Sequence, residues 1–302
     1  MYKLFLSICL VLTMSACSFS KSNNDKEEST LKHSETDTTV IDFWNGNRSQ
    51  ARQDYERVVL EAVLNATEKE FGPWQIEESI VEYPGEQESL VFTEHEHDLF
   101  VTIAGNQKFE EGDMFVIPRP LTRNLLGYRI PIIREQDTVA FNNINDIDDV
   151  RKLEHGIPST WSDATIFRHN DFRVVEEGDF DDIFERLQNG RFDYSAYGAN
   201  EILSVYRNRA SKHENLTIEN DLILFYPFPL VFYVNPEMPD LSKRIEKGLQ
   251  SIAESGELDR IFSEHYGDIV EKLDLDQRRI FVLENPLVPE EFADLEPDLK
   301  DF

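Results

Sequence analysis

The exchange of apolar and polar positions is clearest over residues 179–201. Phe180, Ile183, Phe184 and Leu187 fall at i, i+3, i+4 and i+7, which makes one side of a helix apolar. Asp179 is placed to cap the first turn, and Asp181 and Asp182 suit its positive end. Gly190 is placed to take the left-handed conformation that stops it. Phe192, Tyr194 and Ala196 then alternate with polar neighbours, the period of a short strand. Asn200 is positioned to cap a second helix that turns Ile202, Val205 and Tyr206 inward.

The same alternation of periods runs through the first third. Residues 39–43 are β-rich, and Tyr55, Val58, Val59, Ala62, Val63 and Ala66 then share one helical face until Gly72-Pro73 stops it. A strand is predicted over 74–81, a turn at Tyr83-Pro84-Gly85, a short helix over 85–93 and a strand over 98–103. This β-α-β-α-β order predicts an α/β unit with a largely parallel sheet. Ligands of such sheets sit at the carboxyl ends of strands, here the loops 44–48 and 105–108. Residues 115–134 are extended and punctuated by proline, and 221–234 form a second extended stretch. Near the end, Asp240 is placed to cap a helix carrying Leu241, Ile245, Leu249 and Ile252 on one face, closed near Gly256.

Charge narrows the partners. The chain has 302 residues, enough for two lobes, with 59 acidic against 30 basic side chains and a net charge of −29. So acidic a chain is not expected to seek nucleic acid or an anionic membrane surface. Its acids are spread along every segment, as a solvated surface would have them, and they also suit a cationic ligand. Both cysteines, Cys9 and Cys17, lie in the first 17 residues, which leaves the folded part without disulfide, thiolate nucleophile or cysteine metal site. In the cluster Glu94-His95-Glu96-His97-Asp98, alternate histidines on a strand would share a face and could ligate zinc. No third ligand follows at a recognisable spacing, and a solvated loop before a strand accounts for it. No cofactor and no metal are expected.

Lys3 precedes an apolar run over residues 4–14, too short to span a bilayer, and Met14-Ser15-Ala16-Cys17 follows. This resembles a bacterial lipobox. The resemblance implies a signal peptide over 1–16, cleavage before Cys17, acylation of that cysteine by diacylglycerol and palmitate, and, with Ser18 next, sorting to the outer membrane. An ordinary signal peptide with an incidental cysteine is the alternative. Residues 17–38 are polar and read as a flexible tether. The membrane would then be reached through the lipid anchor only.

Leu187 and Gly190-Arg191-Phe192-Asp193 resemble the L-x-x-G-R-x-D signature of type 2 periplasmic solute-binding proteins, of the extracellular family 3, amino-acid ABC transporter type. LLGYRIPII (125–133), VRKLEHGI (150–157), GLQSIAESGELDRIFSEHYGD (248–268) and RRIFVLENPLVP (278–289) resemble further segments of that family, in the correct order. The resemblance implies a two-lobed, periplasmic-binding-protein-like II fold of α/β class, each lobe a mostly parallel sheet flanked by helices. Lobe 1 is expected over 39–134 plus 232–302 and lobe 2 over 135–231, with hinges near 131–134 and 228–232. It also implies a small polar solute held between the lobes, with an inner-membrane importer or a sensor as partner, on the periplasmic side of the envelope.

In the family's amino-acid binders, an arginine and helix-terminal amides hold the solute carboxylate, and an aspartate holds its ammonium group. This chain departs from the arginine and the aspartate, with Lys108-Phe109 and Tyr197-Gly198 at those places, while the helix start Ser159-Thr160-Trp161-Ser162 remains, to present amides to an anion or to serve as an ordinary cap. Arg119 and Arg123 are candidate substitutes. The expected ligand wall comprises Trp44 and Asn106 from lobe 1, and Thr160, Trp161, Asp163, Tyr197 and Glu201 from lobe 2. Trp44 and Trp161 fit equally well as core residues at strand ends. Binding without catalysis is the expected function. A degenerate scaffold that contacts other envelope proteins, or a lyase using Glu201 or Asp163, are the alternatives. If Cys17 carries the anchor, Cys17→Ala leaves the protein unprocessed or free in the periplasm. Normal membrane fractionation of that variant would refute the assignment.

Overall fold

The structure is a computed structural model that describes residues 38–302. The signal segment, Cys17 and all of the tether except residue 38 lie outside the described residues. The chain runs through β1 (Thr39–Trp44), α1 (Gln50–Phe71), β2 (Trp74–Ser79), β3 (Leu99–Ile103), β4 (Phe115–Ile117), β5 (Tyr128–Arg134), α2 (Thr138–Asn142) and α3 (Ile147–Arg151). It continues through β6 (Glu154–Ile157), α4 (Ser162–His169), β7 (Arg173–Glu176), α5 (Ile183–Gln188), β8 (Tyr194–Gly198), α6 (Ile202–Asn208), β9 (Leu216–Ile218), β10 (Leu222–Phe225) and β11 (Leu230–Val234). It ends with α7 (Pro239–Glu254), α8 (Glu257–Tyr266), α9 (Ile269–Lys272) and β12 (Arg279–Val282).

The strands form two sheets. The first has the order β2-β1-β3-β11-β4; the second has the order β12-β10-β5-β8-β6-β7, with β9 also on β5. Both sheets are mixed. β1 pairs in parallel with β2 and β3, and β6 with β7 and β8. β11 and β5 each arrive from the other lobe and run antiparallel to their neighbours. The expectation of mostly parallel sheets came from β-α-β order, which governs strands joined within one lobe; a strand arriving from the other lobe is free of that rule.

The lobe boundaries fall elsewhere than the sequence suggested. β5, expected to close lobe 1 at residue 134, is central to the second sheet, so the first crossing occupies residues 118–127. The return lies at 226–229, because β11 already belongs to the first sheet. After α7 and α8 pack on α1, the chain crosses again to place β12 beside β10. It then comes back, with Phe292 packed beside Trp44 and Phe100 in the first lobe.

Local chemistry explains the elements. The Ser49 side chain accepts from Arg52 N and opens α1, and Gly72 (φ 83°) closes it. α1 buries Leu60 and Leu64 as well as Tyr55, Val59 and Val63, a wider face than expected. It lies against the helices α7 and α8, which take what the expected stripe left over. α5 begins at Ile183, later than expected; Asp179 instead ties a turn by accepting from the Asp181 and Asp182 amides. Asn200 does not cap α6, whose N-cap is Glu201 without a side-chain bond. Pro239 at the first position, not Asp240, starts α7. β8 is buried on both faces, since α5 covers one and the rest of the lobe covers the other, so its polar alternation does not mark a solvent side.

α7 packs closely on α1 at Gly248, where an added Cβ would lie 2.4 Å from the Val63 carbonyl oxygen. In an exposed helix, Gly to Ala stabilises by about 1 kcal/mol. Here we expect Gly248→Ala to lose roughly 1–3 kcal/mol through overpacking. The urea midpoint should fall; a rise would show that the two helices do not approach this closely.

Candidate functional site

The carboxyl ends of the parallel strands converge on one cleft of about 620 Å³. From the first lobe it takes Asn47 and Arg48 after β1, Tyr83 and Glu88 after β2, and Asn106 and Lys108 after β3. From the second it takes Thr160, Trp161 and Asp163 after β6, Phe180 after β7 and Glu201 after β8. Arg129, near the start of β5, lies at the same level because β5 runs antiparallel to β8. The expected loops 44–48 and 105–108 are therefore where the cleft is, as strand polarity requires.

The two lobes touch across the mouth of the cleft. An added Cβ on Gly85 would lie 2.1 Å from Thr160 Oγ1, so the first-lobe turn sits directly on the second lobe. Gln107 Nε2 donates to Thr165 Oγ1 at 3.1 Å, and Arg209 pairs with Glu82 at 3.3 Å. Thr160 holds φ of 70°, an unfavourable conformation for a β-branched residue. Its amide donates to Glu176 and its hydroxyl has no partner.

At the base, Arg129 donates to Asp163 at 2.6 Å and to the Ala196 carbonyl at 3.2 Å. Tyr226 OH donates to the same Asp163 oxygen at 2.6 Å. Burial alone would lower the Arg129 pKa, but the charges of Asp163, Tyr226 and Glu201 outweigh it and raise it above the ordinary guanidinium value. On the facing wall, buried Glu56 pairs with Arg48 at 3.1 Å and Arg52 at 2.7 Å. Arg48 also donates to the carbonyls of Val101 and Gly46, and burial lowers its pKa to about 10 against the pull of Glu56. Lys108 pairs with Glu88. Asn106 donates to Glu88 and Thr102 and accepts from the Lys108 amide.

Of the expected wall residues, Asn106, Thr160, Trp161, Asp163 and Glu201 line the cleft. Trp44 and Tyr197 do not. Trp44 ends β1 with no exposed surface, its indole donating to the Val81 carbonyl at 2.9 Å and its ring under the Arg48 guanidinium at 4.7 Å. Tyr197 points to the helix side of β8, where it accepts from Ser195 Oγ and packs on Phe180 and Phe184. Both support the wall from behind. Arg119 and Arg123 do not line the cleft either; Arg123 pairs with Asp259 and lies over Phe262. Sequence reasoning missed Arg52, Tyr83, Glu88, Arg129, Phe180 and Phe228 as lining residues. Arg129 had a signal, since an arginine inside the apolar run LLGYRIPII must be buried and paired.

The histidine cluster behind this wall is a packing device. His97 Nδ1 bonds to Asp42 at 2.6 Å and its Nε2 to Tyr83 OH at 3.0 Å, while His95 stacks on the Tyr83 ring at 3.8 Å. Among the described residues no group of three or more His, Cys, Asp or Glu could hold a metal. No helix among them is long and apolar enough to cross a membrane.

No family model matches this chain, and no curated protein matches it. Solved structures do. An arginine 3rd transport system periplasmic binding protein from Legionella pneumophila superposes with TM-score 0.55 at 12% identity, over 76% of this chain and 100% of that one. The chain has the two-lobed fold of periplasmic binding proteins. A probable amino-acid ABC transporter extracellular-binding protein from Bacillus subtilis matches with TM-score 0.54 at 14% identity, over 76% of this chain and 99% of that one. A histidine kinase sensor domain with similarity to periplasmic binding proteins gives 0.54 at 13% identity, over 77% and 97%. The binding-protein fold accounts for the mixed sheets and for a cleft between them.

Glu201 is a buried carboxyl whose titration can be tested. Burial raises its pKa above the ordinary 4.5, with Arg52 and Arg129 opposing the rise. In the unfolded chain it ionises first, so its contribution to stability is lost as pH climbs from about 4.5 through the raised folded value. Relative to Glu201→Gln, the wild-type protein should therefore become less stable across that window. Denaturant midpoints that track each other over pH 4–8 would refute the raised value.

Proposed function

We propose that this protein binds a small polar solute between its lobes, without turning it over. It then delivers the solute to an inner-membrane importer or reports it to a sensor. The observation that carries the reading is the cleft at the carboxyl ends of both sheets, of a size that suits a small ligand and walled by side chains from both lobes. Matches to an amino-acid transporter's binding protein and to a sensor domain support it, in that the same fold serves both ends. A lipid on Cys17 would tether the protein to the periplasmic face of the envelope, the outer membrane by the identity of Ser18.

Asn106, Thr160, Trp161, Asp163 and Glu201 form the ligand wall in this reading, with Trp44 and Tyr197 behind it. Trp161 contributes flat apolar area, held by Phe180 at 5.5 Å and Tyr197 at 6.4 Å. A second reading, a scaffold that takes no solute and contacts other envelope proteins, draws on the cleft's own charges. They are largely paired with one another, and Arg209 joins the lobes across its mouth. Native mass spectrometry of the gently purified protein separates the two, because only the first predicts a bound small molecule. Trp161→Ala should then weaken that solute while costing the apo protein less than the roughly 3–5 kcal/mol of a fully buried Trp. A full-sized loss of stability with unchanged affinity would return Trp161 to the core.

A further inference from the structure

We infer that the solute of this cleft is an amine or guanidinium cation that carries no carboxylate. The inference rests on the solute-binding reading above and names the class of solute. A carboxylate is held most strongly by a cation, and each cation lining the cleft is already held by a carboxylate of the chain. Arg48 and Arg52 share Glu56, Lys108 holds Glu88, and Arg129 holds Asp163. These pairs are not rim contacts that a solute could exchange at little cost. The Glu56 and Asp163 side chains are 1% and 6% exposed, and displacing their cation would leave a buried charge uncompensated.

The carboxylates are in a different position. Glu201 faces the cleft with its side chain 10% exposed, and among the described residues no donor hydrogen-bonds its carboxylate. The nearest cation is Arg129 Nη1 at 3.9 Å, and that guanidinium is committed to Asp163. Around the base, the three guanidiniums of Arg48, Arg52 and Arg129 are balanced by Glu56, Asp163 and Glu201. The imbalance comes from the rim. Glu82 and Asp181 share the one cation Arg209, and Glu86 and Asp179 have no ion pair among the described residues. The field inside the cleft is therefore negative. It repels an anion and offers a zwitterion no unpaired cation for its carboxylate, while a cation gains both the field and a hydrogen-bond acceptor at Glu201. Trp161 adds an aromatic face that favours a desolvated cation.

Matched pairs that differ only by the carboxylate test this on the unaltered protein. Agmatine against arginine, and putrescine against ornithine, are titrated calorimetrically at neutral pH. The decarboxylated member of at least one pair should bind tenfold or more tightly than its amino acid. Glu201→Gln should weaken that binding at least tenfold without lowering the melting temperature of the unliganded protein. If an amino acid binds as well as or better than its amine, the inference falls while the solute-binding reading stands. If none of the four binds, the inference also falls, and the mass of any co-purified solute decides the solute-binding reading separately.

Discussion

The buried contact of Arg129 with Asp163 and Tyr226 is the constraint on which the cleft depends. Arg129 stands just after the chain has crossed into the second lobe, and Tyr226 just before it returns. Asp163 belongs to the first turn of α4. One carboxylate thus ties both crossings to the helix that forms the second-lobe wall. The side chains of the pair are 2% and 6% exposed, so removing either partner would strand a charge away from water. Such a pair contributes little net stability against an apolar replacement, but it specifies how the surrounding elements meet. Here it fixes where the strand ends point.

The walls are kept in place by an aromatic layer behind them. On the first lobe Trp44, Phe100, Phe92, Phe109 and Tyr233 pack ring against ring, with His97 and Tyr83 bonded to each other at the edge. On the second, Phe180, Phe184 and Tyr197 support Trp161. Rings of this size hold position through many small contacts, so the cleft surface is built on rigid ground. The turn carrying Tyr83-Pro84-Gly85 joins the layer to the contact with Thr160 across the mouth.

The path of the chain adds a second constraint. Beyond the crossings at 118–127 and 226–229, the segment around α9 and β12 visits the second sheet and comes back to the first lobe. Near Gly105 that returning segment comes so close that an added Cβ would lie 1.9 Å from the Leu287 carbonyl oxygen. Movement of one lobe against the other must bend these links together.

Local order along the chain was decided by the sequence itself. The periods of α1, α5 and α7, the breaks at Gly72 and Gly190, and the strand polarity that locates a cleft at residues 44–48 and 105–108 all follow from neighbours within a few positions. Tertiary structure decided which side of each strand became wall and which became core. Trp44 and Tyr197 look alike in sequence to residues that face the cleft, yet a strand residue turns to one side or the other, and what covers that side is set by distant segments. It also decided the charges: Glu88 and Asp163 neutralise Lys108 and Arg129 across separations in sequence that no local pattern records. Glu201 stands out only once those pairs are formed, because an unbonded carboxylate is defined by the partners it lacks in space.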